Sequence, residues 1–248
     1  MKYKEIIDKA LSETAWDSPL SEVIKYSLEA GGKRIRPILT LAFCEAYGSN
    51  AQSALPIAIA IELLHTSTLI QDDLPCMDDD DERRGKPACH KAFSESDALL
   101  AASAMAYKAI DLIAGCDAFI PPQNIMKIVK VICNYMGKVY DGQKLDLDSH
   151  EDIIRIYEHK TCALIQAACA AGVLAADADE KAVKNAHDFA YNLGMAFQLI
   201  DDILDNEGSE NAAQDAEKYT REALNILQEI PNNEFLIQLT NELLHRSK

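Results

Sequence analysis

Apolar residues recur three and four positions apart along almost the whole chain, and no β-branched run bounded by turn residues alternates with period two. The pattern predicts helices over Pro19–Gly31, Pro37–Tyr47, Ala51–Leu74, Glu95–Ala114, Pro122–Tyr140, Glu151–Ala176, Glu180–Asp205, Ala212–Gln228 and Asn233–Arg246. Their punctuation agrees: Pro37 and Pro122 sit at first helical positions, Gly48 follows an end, and Ser49-Asn50 offers a cap. Small residues crowd AIAIELL, LAASAMA and AACAAGVLAA, which allows close helix packing. The expected class is all-α, with no strand.

Composition narrows this without changing it. The 248 residues, 48% of them apolar, suit one large domain spanning 1–248, and no repeat or linker divides them. Aspartate and glutamate outnumber lysine and arginine 40 to 24, for a formal charge of −16, the wrong sign for a nucleic-acid partner. The N-terminus MKYKEIIDKALSETAW is charged throughout, so no export signal is expected. The longest apolar runs, Ala51–Ile70 and Thr161–Ala176, are Ala-rich and read as buried helices rather than membrane spans. Seven scattered cysteines, none spaced C-x-x-C, point to a reducing cytoplasm and no zinc site.

The candidate chemistry lies in two acidic clusters. Leu69–Gly85 reads LIQDDLPCMDDDDERRG, six aspartates within ten residues at the end of an apolar helix. Two carboxylates about 4 Å apart repel by roughly 4 kcal/mol at an effective dielectric near 20, so such crowding implies cations between them. An oxygen-only ligand set points to Mg2+. On an ideal helix Asp72 and Asp78 would be about 240° apart, but Pro75 breaks the ladder, and a bulge there can bring both to one side. In the second cluster, FQLIDDILD, Asp201 and Asp205 are four residues apart on one helical face.

These residues resemble the trans-prenyl diphosphate synthases, specifically the bacterial and plastid-type farnesyl and geranylgeranyl diphosphate synthases with Pro75-Cys76 inserted in the first motif. GGKRIRP (Gly31–Pro37), ELLHTSTLIQDDLPCMDDDDERRGKPACHKAF (Glu62–Phe93), DGQKLDL (Asp141–Leu147), HKT (His159–Thr161) and GMAFQLIDDILD (Gly194–Asp205) carry the resemblance in family order. It implies an isoprenoid synthase-like helical bundle around a central cavity, usually a homodimer. The substrates implied are isopentenyl diphosphate and an allylic diphosphate (dimethylallyl, geranyl or farnesyl), with the cofactor Mg2+.

By position, Gly32, Lys33, Arg36, His65 and Arg84 would bind isopentenyl diphosphate. Asp72, Asp78 and Asp201 would hold magnesium, with Asp73, Asp202 and Asp205 assisting, while Arg83 and Lys160 neutralise the allylic diphosphate. Thr161, Gln198 and the Lys160 carbonyl would face the carbocation. The resemblance makes Ser67, one turn before Asp72, the chain-length position, and a serine there implies a product longer than C15.

The chain also departs from the family. The basic loop G-K-x-x-G-x-D-x-x-x-x-K expected after Asp205 is replaced by NEGSENAAQDAEKYTREAL, the stretch Leu145–Ile154 is short, and Ala102-Ser103 stands where Gly-Asp is common. Three readings follow: loops deleted outright, a non-catalytic subunit retaining the fold, or flexible segments absent from this sequence. A terpene cyclase is the nearest enzymatic rival, which GGKR and His65 disfavour.

Overall fold

The computed structural model describes residues 2–148, 152–206 and 208–244. It consists of α1 (Lys4–Glu13), α2 (Ser21–Leu28), α3 (Ile35–Ala46), a 3-10 turn (Ala51–Ala54), α4 (Leu55–Asp72), β1 (Glu82–Arg83), β2 (Lys86–Pro87), α5 (Cys89–Ala92) and α6 (Glu95–Ala114). These are followed by α7 (Pro122–Leu147), α8 (Ile153–Ile156), a π-helical turn (Tyr157–Cys162), α9 (Ala163–Ala175), α10 (Glu180–Asp205), α11 (Ala212–Leu227) and α12 (Glu234–Leu244). The all-α expectation holds, with one exception. The antiparallel ribbon β1–β2 pairs Glu82 with Pro87 and Arg83 with Lys86. Its two connecting residues, Arg84 and Gly85, both have positive φ (56° and 74°), as a tight type I′ hairpin requires.

Contacts divide the chain into two compact units. One comprises Met1–Ile38 and Leu55–Ala118, the other Leu39–Ala54 and Phe119–Lys248. In the first, α4 packs along α6. Residues Ile57–Leu64 of α4 are buried on every side, so this helix is core rather than amphipathic. The face that α6 buries is Ala98, Ala101, Ala102, Met105 and Ala109, spaced as one helical stripe of mostly small side chains. Ser94 caps α6 by accepting from Asp97 N–H at 3.1 Å. The stretch Ala51–Asp72 is long and apolar enough to cross a membrane, but 72% of its most apolar window is buried inside the protein. Helix α1 escaped the sequence pattern because only Ile7 and Leu11 mark its buried face among charged neighbours.

In the second unit α9 lies between α7 and α10, and Ala167–Val173 are buried throughout. Gly172 makes this possible, since a Cβ there would stand 2.3 Å from the Thr40 carbonyl oxygen. Asp179 caps α10 by accepting from Ala182 N–H at 2.8 Å, and Asn206 ends it in the left-handed conformation at φ 62°. The single helix expected over Glu151–Ala176 is instead α8, the π turn and α9, and α7 runs past Tyr140 to Leu147. The expected boundaries at Glu151 and Arg246 lie outside the described residues, as does part of the shortened stretch after Asp148.

Two glycine substitutions test this packing. Gly172→Ala is expected to cost about 1–3 kcal/mol, because the methyl group meets backbone. Gly137→Ala, at an exposed helical position with nothing within 4 Å of the added carbon, should stabilise by roughly 0.5–1 kcal/mol. Urea unfolding of both variants checks the contrast.

Candidate active site

Helix α4 delivers Asp72 and Asp73 at its C-terminal end. Beyond it the chain turns back: Met77 N–H donates to Leu74 O at 2.8 Å and Asp78 N–H to Asp72 O at 2.9 Å. That last bond closes the bulge at Pro75 and sets the backbone of Asp78 against that of Asp72. Asp73 is only 2% exposed and accepts from Arg83, whose Nε stands 2.8 Å from its Oδ1. Arg83 Nη2 also reaches Asp80 Oδ2 at 2.8 Å, and Lys91 pairs with Asp81 at 2.7 Å. Asp80 and Asp81 are thus each tied to a cation.

The Gly31–Arg34 loop, the first turn of α3 and the hairpin gather a group of arginines around His65 of α4. Arg36 Nη1 lies 3.4 Å from His65 Nε2. Since a guanidinium only donates, Nε2 is the acceptor and the imidazole proton sits on Nδ1. Burial, and then the charges of Arg36, Arg84, Arg34 and Arg83, push the His65 pKa well below 6.5, so the ring is neutral. Arg84 donates to Gly31 O, and its guanidinium lies so close to Gly32 (φ 128°) that a Cβ there would meet it at 2.8 Å. Lys33 is exposed beside them. Ser67 is wholly buried, its hydroxyl donating to Leu64 O at 2.7 Å.

Beneath the loop lies a residue that the motif reading passed over. Arg34, 5% exposed and at φ 53°, donates to Glu62 Oε1 (2.7 Å), Asp8 Oδ1 (2.9 Å) and Leu28 O (2.7 Å). One buried guanidinium thus joins α1, α2 and α4 to the loop. Burial raises the Glu62 pKa and Arg34 opposes that shift. The sequence signal was Glu62, a lone charge inside an apolar helix, which calls for a cationic partner.

In the second unit the π turn carries Tyr157, Lys160 and Thr161. It is wedged between glycines: a Cβ on Gly142 of α7 would stand 2.5 Å from Lys160 N, and one on Gly194 of α10 would stand 2.7 Å from Cys162 Sγ. Lys160 Nζ pairs with Asp146 Oδ2 at 2.5 Å. Thr161 Oγ1 donates to Gln198 Oε1 at 3.0 Å, Gln198 Nε2 donates to Asp202 Oδ1 at 3.1 Å, and Tyr157 donates to Asp202 Oδ2. Asp201 is half-buried and Asp205 exposed on the last turns of α10. Ala212 and Ala216 of α11 pack with Tyr157, Cys162, Met195 and Leu199. Lys218, the cation nearest the missing basic loop in sequence, lies over the Tyr219 ring at 5.8 Å.

Among the described residues no group of three or more His, Cys, Asp or Glu stands close enough to hold a metal ion. The aspartates nonetheless suit Mg2+, which takes one or two carboxylates and completes its shell with water and phosphate oxygens. Asp72 and Asp78, whose backbones are joined by that hydrogen bond, are the candidates in the first cluster.

Comparison with known proteins bears on the fold and the family. The fold is that of the isoprenoid synthases. An apo crystal structure of an FPP/GFPP synthase from Zymomonas mobilis superposes with TM-score 0.90 over 97% of this chain and 95% of that one, at 28% identity. A geranyltransferase from Legionella pneumophila gives 0.88 over 98% and 93%, at 32% identity. The polyprenyl synthetase family profile matches residues 17–221, and the chain belongs to that family, the trans-prenyl diphosphate synthases. It is 42% identical over 214 residues to a geranylgeranyl diphosphate synthase of Cyanophora paradoxa, covering 82% of this chain and 71% of that protein. It is 40% identical over 220 residues to a farnesyl diphosphate synthase of Geobacillus stearothermophilus, covering 84% and 74%.

The state of His65 has a pH consequence. Its folded pKa is depressed, so the unfolded chain takes up a proton near pH 6.5 that the native site refuses. Stability from this group is complete above that pH and is lost as pH falls below it. His187, also depressed by burial, adds to the same trend. Urea midpoints measured from pH 7.5 to 5 should fall for the wild type, and His65→Asn should flatten part of that fall.

Proposed function

We propose that this chain is a magnesium-dependent prenyltransferase that condenses isopentenyl diphosphate with an allylic diphosphate. The observation that carries the reading is the arginine-lined surface around neutral His65. Lys33, Arg36 and Arg84 supply charge for one diphosphate, and Gly32 leaves backbone and guanidinium room to approach it. A cyclase, which ionises one substrate alone, has no need of such a second anion site.

We assign magnesium binding to Asp72 and Asp78, and separately to Asp201 and Asp205. A metal held by these carboxylates would supply positive charge for the departing diphosphate. We assign Asp73 to holding Arg83 rather than to the metal. The protein provides no nucleophile: the allylic C–O bond breaks with its electron pair leaving on diphosphate. The double bond of isopentenyl diphosphate then forms the new C–C bond, and a proton passes to the released diphosphate. Thr161 and Gln198 face the cation as neutral dipoles, which favour it without trapping it.

Ser67 supports a product longer than C15, most simply geranylgeranyl diphosphate, because a small side chain at that point does not cap the growing chain. The homodimer we propose uses the exposed apolar residues Leu99, Leu100 and Tyr107 of α6, which are 50%, 55% and 79% exposed and share one side of the helix.

Purified protein incubated with Mg2+, isopentenyl diphosphate and farnesyl diphosphate should yield C20 diphosphate. Asp72→Ala and Asp201→Ala should each lower kcat more than about a hundredfold with far-UV circular dichroism unchanged. No product from the wild type would favour the non-catalytic subunit reading, and C15 as sole end product from shorter primers would remove the Ser67 assignment. For the dimer, sedimentation velocity should give a two-chain species that Leu100→Glu converts to monomer; a monomeric wild type would refute it.

A further inference from the structure

Resting on the prenyl-transfer reading above, we infer that Tyr157 is a positioning residue: through Asp202 and Gln198 it sets the direction of the Thr161 hydroxyl, so that its lone pairs rather than its proton face the cation. The four side chains form one chain of hydrogen bonds within a single unit. Tyr157 O–H donates to Asp202 Oδ2, Gln198 Nε2 donates to Asp202 Oδ1 at 3.1 Å, and Thr161 Oγ1 donates to Gln198 Oε1 at 3.0 Å.

The direction of each bond follows from the chemistry of its ends. An ionised carboxylate accepts and cannot donate, so both of its neighbours must turn a hydrogen toward Asp202. Gln198 therefore presents its NH2 to Asp202 and, because the amide is planar, its carbonyl oxygen to Thr161. That oxygen accepts only, so the Thr161 hydroxyl spends its one hydrogen there. What Thr161 has left is two lone pairs, the end of the dipole that stabilises positive charge. Without the carboxylate anchor the amide can rotate by half a turn, Gln198 becomes the donor, and the Thr161 proton is free to point at the cation, which raises its energy.

Tyr157 holds the anchor from the other side. It is 9% exposed, stands at the start of the π turn, and packs with Cys162, Met195, Leu199, Ala212 and Ala216. The π turn is what brings it into play, for it puts Tyr157 and Thr161, four residues apart, on one network with α10. The wedge of Gly142 and Gly194 keeps that turn against both helices. Helix α11 also matters here: Ala212 and Ala216 pack against the tyrosine and so support this chain of bonds.

The test is Tyr157→Phe, which removes one hydroxyl and preserves the packing. Steady-state assays with Mg2+, isopentenyl diphosphate and farnesyl diphosphate should show kcat reduced by about tenfold, as for outer groups that orient a reactive one. KM for isopentenyl diphosphate should stay within twofold of the wild type, and a larger share of the allylic substrate should appear as prenyl alcohol from water capture. Asp202→Asn, which lets the amide turn, should reproduce both effects. The double variant should be no slower than the slower single one, since both act through the same hydroxyl. Wild-type kcat and alcohol yield in Tyr157→Phe and in Asp202→Asn would overturn the inference, and so would losses that multiply in the double variant. If Tyr157→Phe does not fold, wild-type behaviour of Asp202→Asn alone overturns it. A wild-type protein that forms no prenyl product would instead defeat the functional reading itself.

Discussion

Crowding of like charge at the end of a buried helix is the constraint around which the first unit is organised. Six aspartates follow an apolar helix that has no exposed side along most of its length. At roughly 4 kcal/mol per close pair, their repulsion would unwind that end if nothing opposed it. The tight hairpin answers by returning Arg83 to Asp73 and Asp80, and Lys91 of α5 takes Asp81. The bulge at Pro75 sets Asp72 beside Asp78. Much of the charge in the cluster is thereby neutralised by side chains that the hairpin and α5 bring back to it.

The basic side of the same unit obeys a matching rule. Arg34 is wholly drawn inward, where Glu62, Asp8 and a carbonyl satisfy it. Arg36 and Arg84 remain around His65 and depress its pKa. Two arginines separated by a single residue in sequence therefore serve different ends: one fastens the loop, the other stands against His65. Left-handed backbone at Arg34 itself, with Gly31 and Gly32 just before it, turns the two side chains apart.

In the second unit the corresponding device is close backbone approach. Gly142, Gly172 and Gly194 each stand where a methyl group would collide with a neighbouring residue. Two of them flank the π turn, a conformation that costs stability and recurs where function needs a re-aimed side chain. Here it aims Lys160 at Asp146 and joins Thr161 to Gln198. The alanines of α11 join the cluster that covers Tyr157.

Much of this was legible in the sequence. Helical periodicity, caps and the crowded aspartates are local signals, set by neighbours three to ten residues away, and they located most of the helices and, through the ordered motifs, the family. The ribbon at Glu82–Pro87, helix α1, the π turn and the partners of Arg34 and Asp202 were not legible. Each depends on which distant residue arrives opposite, and spacing along a chain does not record that. The order of hydrophobic and charged residues determined which segments coil and which groups can do chemistry. Only tertiary packing decided which charges neutralise one another and which way each hydrogen bond points, because burial makes an unpaired donor or charge too costly to leave.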